Sequence, residues 1–133
     1  MRNADSDRYV ELSLPAEKDM MLLVRLAASG VLARSGVTVD RLDDVKMAVE
    51  EACCCMIGQI GGTSRICLRF DLEEDRLFFT CTAADGCAAG TALNPAEREI
   101  ALCILESLVD SVEADVREDG VIRSIRLCLA LPR

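Results

Sequence analysis

The chain has 133 residues, 51% of them hydrophobic, which is enough for one sizeable core and points to a single domain spanning 1–133, with a flexible start at 1–7. Twenty-three acidic against fifteen basic residues give a formal charge of -8, which argues against nucleic acid and anionic membrane surfaces as partners. Histidine is absent, which removes His-based acid/base catalysis, phosphohistidine relays and His metal ligands.

From Arg8 to Leu14 the residues alternate, with Val10, Leu12 and Leu14 on one side, and Pro15 closes what reads as a first strand. Between Ala16 and Ser35, Met20, Leu23, Val24, Ala27, Val31 and Leu32 recur at helical spacing until Gly36. Asp40 is the expected N-cap of a second helix, whose apolar stripe is Leu42, Val45, Val49, Ala52, Cys53, Met56 and Ile60, ending at Gly61-Gly62. Ser64–Leu72 and Arg76–Ala83 alternate around Glu73-Glu74-Asp75, as two strands of a hairpin do. A loop of small residues, Ala84 to Leu93, leads to Asn94-Pro95-Ala96-Glu97, where a capping Asn and a first-turn Pro predict a third helix running to about Val109. Val112–Arg117 and Val121–Leu131 form a second hairpin around Glu118-Asp119-Gly120. The order predicts an α+β, two-layer α/β sandwich: a mostly antiparallel sheet of about five strands with three helices on one face.

No stretch approaches the roughly 20 apolar residues needed to span a bilayer, and the polar opening does not resemble a signal peptide, so a cytoplasmic location with reduced thiols is expected. Cys53, Cys54 and Cys55 point about 100° apart on a helix and cannot meet at one tetrahedral ion. No metal is expected, and a cysteine-based redox or metal sensor stands as a minor alternative. Cys67 and Cys128 fall on the sheet face away from the helices, where with Phe78 and Ile122 they predict an apolar patch for self-association or docking. The run Leu32 to Leu42 is superficially like the turn of a helix-turn-helix repressor. Its following helix would carry Asp40, Asp43, Asp44, Glu50 and Glu51 towards phosphates, which speaks against DNA binding.

Glu51, Cys55 and Gln59 stand four residues apart in the second helix, a row that can line a site. The stretch Asp43-Asp44-Val45-Lys46-Met47-Ala48-Val49-Glu50-Glu51-Ala52-Cys53 resembles the N-box helix of GHKL-type ATPases, above all the bacterial anti-sigma factor serine/threonine kinases of the RsbW and SpoIIAB group. Leu12-Ser13-Leu14-Pro15-Ala16 and Leu105-Glu106-Ser107-Leu108-Val109-Asp110-Ser111-Val112-Glu113 are similar to the same group, and the resemblance covers Val10 to Leu131. It implies a Bergerat-type fold and a site for ATP and magnesium, in which Glu51 takes the position of the catalytic base. Cys55 stands where the family has its magnesium-ligating Asn, and a thiol suits that hard cation poorly. The family's Asp-x-Gly, which recognises adenine, corresponds to Ala84-Asp85-Gly86: Gly86 fits, whereas Asp85 serves only if the register slips by one. The glycine-rich phosphate lid is replaced by Glu97-Arg98-Glu99-Ile100-Ala101-Leu102. These departures predict a regulatory binding protein of the anti-sigma-factor type with a degenerate ATP site and no cofactor. The resemblance implies a sigma factor or a STAS-domain antagonist as partner, and a homodimer. The enzymatic alternative is an active kinase that uses ATP and magnesium with Glu51 as base and Asp85 in a shifted loop.

Overall fold

A computed structural model of the chain describes residues 9–33, 35–59, 61 and 63–131. The segment 1–7, expected to be flexible, lies outside these residues, as do Ile60 and Gly62. The elements in chain order are β1 (Tyr9–Pro15), α1 (Met21–Leu32), α2 (Val39–Ile57), β2 (Arg65–Leu72), β3 (Arg76–Ala83), α3 (Pro95–Leu108), β4 (Ser111–Val116) and β5 (Ile122–Ala130). The strands form one sheet in the order β1-β2-β3-β5-β4, and every neighbouring pair is antiparallel. Three helices on such a sheet make the α+β architecture that the element order predicts.

The alternation within each strand decides which face is covered. Ile66, Leu68 and Phe70 of β2, Leu77, Phe79 and Cys81 of β3, and Ile125, Leu127 and Leu129 of β5 are buried. They meet Val45, Ala48, Val49, Ala52, Cys53 and Met56 of α2 in one core. With only three phenylalanines and no tryptophan, this core depends on aliphatic, Ala and Cys packing, and Phe70 and Phe79 supply its one aromatic pair, 5.0 Å between ring centroids.

Three local expectations need correction. The chain enters α1 through a 3-10 turn at Lys18–Met20, and the residues α1 buries are Met21, Val24, Ala28 and Leu32, with Leu23 exposed. This helix is apolar nearly all round, so periodicity could not choose its inner face. The cap of α2 is Thr38, whose hydroxyl accepts from Arg41 N at 3.1 Å; Asp40 lies inside the first turn. At its other end α2 stops at Ile57, capped by Gly58, one turn before the glycine pair. For α3, by contrast, Asn94 Oδ1 does accept from Ala96 N at 2.8 Å with Pro95 opening the helix.

The outer face of the sheet is not the expected apolar patch. A bulge at Asp115/Val116 sets Ile122 opposite Val116 and turns it into the core. Cys67 is exposed, Cys128 is buried, and charged side chains dominate the rest of the face. The Arg69 guanidinium lies 3.9 Å from the Tyr9 ring centroid, and that of Arg126 lies 5.0 Å from Phe78.

Candidate functional site

The row Glu51, Cys55, Gln59 descends from the surface of α2 into the core. Glu51 is half-buried and, among the described residues, makes no hydrogen bond or ion pair. One turn on, Cys55 is only 5% exposed and packs within the core; burial, reinforced by the neighbouring Glu51 charge, pushes its thiol up to about 12. It is therefore a neutral thiol at neutral pH. Gln59, expected one helical turn further, instead lies two residues past the end of α2; it is buried and pairs both backbone groups of Ile122: its Nε2 donates to Ile122 O at 3.0 Å, and its Oε1 accepts from Ile122 N at 2.6 Å. The same amide reaches Cys87 Sγ at 3.5 Å.

Residues 84–93 are seated on the C-terminal end of α2 and on the start of β5. Asp85 Oδ1 accepts from Cys87 N at 2.9 Å, an Asx turn that engages the carboxylate with its own loop. Gly86 and Cys87 follow with φ of +68° and +58°, and Cys87, the one described non-glycine residue with positive φ, is buried. Arg117 Nη1 holds the Cys87 carbonyl at 2.6 Å. Gly61 is required by close approach as well as by its φ of +66°: a Cβ there would stand 2.9 Å from Ala89 O. Ala84, which the sequence resemblance aligns with the family's adenine-recognising Asp, is exposed.

Residues 97–102 are helical, forming the first turns of α3, with Glu97 and Glu99 exposed and Ala101 buried. The structure thus gathers Cys55, Gln59 and Cys87 in the interior, leaves Glu51 on the flank of α2, and keeps Asp85 and Gly86 on the outer turn of the loop. Among the described residues no three His, Cys, Asp or Glu side chains converge in a way that could hold a metal ion. The neighbouring Cys53 thiol, together with burial, raises the Cys81 thiol well above the ordinary range. Sequence reasoning placed Gln59 in the row but not its grip on β5, and missed Arg117 and Cys87. A long polar side chain one turn beyond an apolar stripe was the only signal available for the first, and the other two had none.

A second feature of the surface is α1. Its one charged residue, Arg25, pairs with Glu50 of α2, while Leu22, at 60% exposure, and Leu26, at 59%, stand with Leu23 on the solvent side. Among the described residues no helix is long and apolar enough to cross a membrane.

Residues 14–128 match the model of the histidine kinase-like ATPase domain. The chain belongs to that family of domains. Within it the chain is similar to serine-protein kinases RsbW: it is 33% identical over 128 residues to that of Halalkalibacterium halodurans (84% of this chain, 76% of the relative) and 31% identical over 134 residues to that of Staphylococcus epidermidis (85% and 82%). The RsbW of Bacillus velezensis is 39% identical over a shorter stretch of 72 residues, 52% of this chain, and there the match spans about half of the relative, 45%. Among solved structures, the crystal structure of the RsbU and RsbW domains of a Mycobacterium tuberculosis protein superposes with a TM-score of 0.68 over 94% of this chain and 33% of that one, at 17% identity, which establishes the shared fold.

Proposed function

We propose that this chain is a regulatory module of the anti-sigma-factor type, acting in the cytoplasm by binding another protein, with nucleotide binding lost or weakened. The observation that carries the reading is Cys55. At the position of the family's magnesium ligand stands a buried thiol that stays protonated at neutral pH, and a neutral sulfur is a poor donor to a cation that demands oxygen. Two further features support it. Ala84 offers no carboxylate to adenine, and the segment corresponding to the phosphate lid is helix bearing Glu97 and Glu99, whose charges oppose a triphosphate. ATP and magnesium do not fit these residues.

The exposed Leu22, Leu23 and Leu26 on α1 supply the kind of surface that a protein partner covers. A sigma factor or a STAS-domain antagonist is the partner class the family resemblance suggests, and a homodimer is proposed on the same ground. Calorimetric titration of the reduced protein with ATP and ADP, with magnesium and then with EDTA, tests the reading. No heat at millimolar nucleotide is expected; magnesium-dependent micromolar binding would overturn it.

A second reading, an active kinase, is favoured by one observation: Glu51 is half-exposed and has no partner among the described residues, as a base awaiting substrate would be. Cys55→Asn combined with Glu99→Gly and Ala101→Gly separates the two. Restored ATP binding means that only the ligands have drifted. Continued absence, the expected result, means that the loop seated on Gly61 and Val121 has closed the pocket.

A further inference from the structure

The segment that replaces the phosphate lid has a surface of its own. In α3, Ala101 and Leu105 point into the core, and about half a helical circumference away Ala96, Ile100, Cys103 and Ile104 form a row at positions i, i+4, i+7 and i+8. Ile100 is 61% exposed and Ile104 40%, and with Glu99 these residues line a shallow, mainly apolar depression of about 440 Å³. Carboxylates border it on both flanks. By helical position Glu97 lies beside Ile104, and Glu99 and Glu106 lie beside Cys103; all three are exposed. The single basic residue of the helix, Arg98, falls on the opposite side.

An apolar row walled by acids complements a segment with an apolar stripe walled by lysine or arginine. The apolar surfaces exclude water from the centre, and the charges set register and approach. We propose that the outer face of α3, from Ala96 to Ser107, is a docking surface for a basic amphipathic helix of a protein partner. It is separate from the α1 face and owes its form to the residues that replaced the lid glycines. Because residues 97–102 are helical, the two isoleucines are held at fixed spacing on a rigid element, which a glycine loop could not do. A second copy of this chain is a poor occupant, since the same face on both molecules would set Glu97, Glu99 and Glu106 against their equals.

The probe is a synthetic helical peptide of about five turns with leucine along one face and lysine on its flanks, titrated into the full chain at low salt and followed by amide chemical shifts. Saturable shifts confined to α3 and its immediate neighbours are expected. Ile100→Ser with Ile104→Ser should weaken binding at least tenfold, and Glu99→Lys with Glu106→Lys should weaken it several-fold and flatten its salt dependence. A matched peptide with glutamate flanks should not bind, and Leu22→Ser with Leu26→Ser should leave the affinity unchanged. Shifts centred on α1 or spread over the acidic surface would overturn the proposal, as would unchanged affinity in the isoleucine variant. So would a concentration-dependent dimer abolished by Ile100→Ser, which would make a second copy the occupant. None of these outcomes involves nucleotide, so failure here and failure of the proposed function are distinguishable.

Discussion

The two ends of α2 are each fastened by a single side chain, and the two fastenings are opposite in character. At the N-terminal end Arg41 donates from Nε to Ala130 O at 2.9 Å, from Nη1 to Leu108 O at 3.1 Å and from Nη2 to Asp110 Oδ2 at 2.9 Å, so one charged group ties α2 to the close of α3 and of β5. At the C-terminal end a neutral, buried amide does the corresponding work: Gln59 pairs both backbone groups of Ile122 at the start of β5. The charged tie keeps some contact with solvent, where a lost bond is partly replaced by water. The amide has no such refuge, and it lies at the end of α2 against which the candidate site is packed. The candidate site of this chain therefore lies beside the less forgiving of the two fastenings.

The largest expected effect follows from that asymmetry. Gln59→Leu keeps a side chain of similar size but strands the N–H and C=O of Ile122 in the interior, and each unpaired group costs about 1–3 kcal/mol. A loss of about 3 kcal/mol in urea unfolding is expected, with loosened hydrogen-exchange protection in residues 84–93. Arg41→Ala should cost less, about 2 kcal/mol, because its carbonyl partners sit where water can reach part of the junction. If Arg41→Ala proves the more damaging, the comparison is inverted and the site end of α2 is looser than its hydrogen bonds indicate.

Alkaline titration sharpens the same contrast. The Cys55 thiol has an ordinary value of 9.0 when exposed and about 12 in the fold, because of burial and the Glu51 charge. Above pH 9 the unfolded chain releases a proton that the folded chain keeps. The stability contribution is thus complete below that pH and is lost as pH rises towards the folded value, at about 1.4 kcal/mol per pH unit. Cys54 and Cys87, also raised chiefly by burial, add to the slope. Cys55→Ala should flatten the fall of Tm between pH 9 and 10; an unchanged slope would place Cys55 in contact with water.

How far the sequence could be read depended on the type of signal. Strand alternation in Arg65–Leu72 and Arg76–Ala83 located that hairpin to within a residue, since its glycine-free, acidic turn separates two apolar faces cleanly. The N-box-like run singled out Glu51 and Cys55 as candidates, because residue types at fixed spacing are read directly from the order of the chain. Which residues face inward from α1 was not legible, since apolar side chains surround that helix and only packing against α2 chooses among them. The inward turn of Ile122 was hidden as well: a bulge adds one residue to the count, and nothing in the composition of β4 or β5 announces it. Nor could spacing reveal that Cys55 is enclosed in the core rather than open to a pocket, because enclosure depends on tertiary packing that the order of residues does not state.

The smallest effect concerns the cap of α2 and tests the fastening of its N-terminal end from another direction. Thr38 Oγ1 satisfies the N–H of Arg41, the residue whose side chain forms the tie, so the cap orders the backbone that aims the guanidinium. Asp40, inside the first turn, contributes only through its charge near the positive end of the helix dipole. Thr38→Ala should therefore cost about 1 kcal/mol, and Asp40→Ala no more than about 0.5 kcal/mol, the latter vanishing at high salt. Because cap and tie act on one residue, Thr38→Ala and Arg41→Ala should be less than additive in a double-mutant cycle, whereas Thr38→Ala and Gln59→Leu, at opposite ends of the helix, should add. Full additivity of the first pair would mean that the cap merely closes the helix and leaves the aim of Arg41 to its own partners.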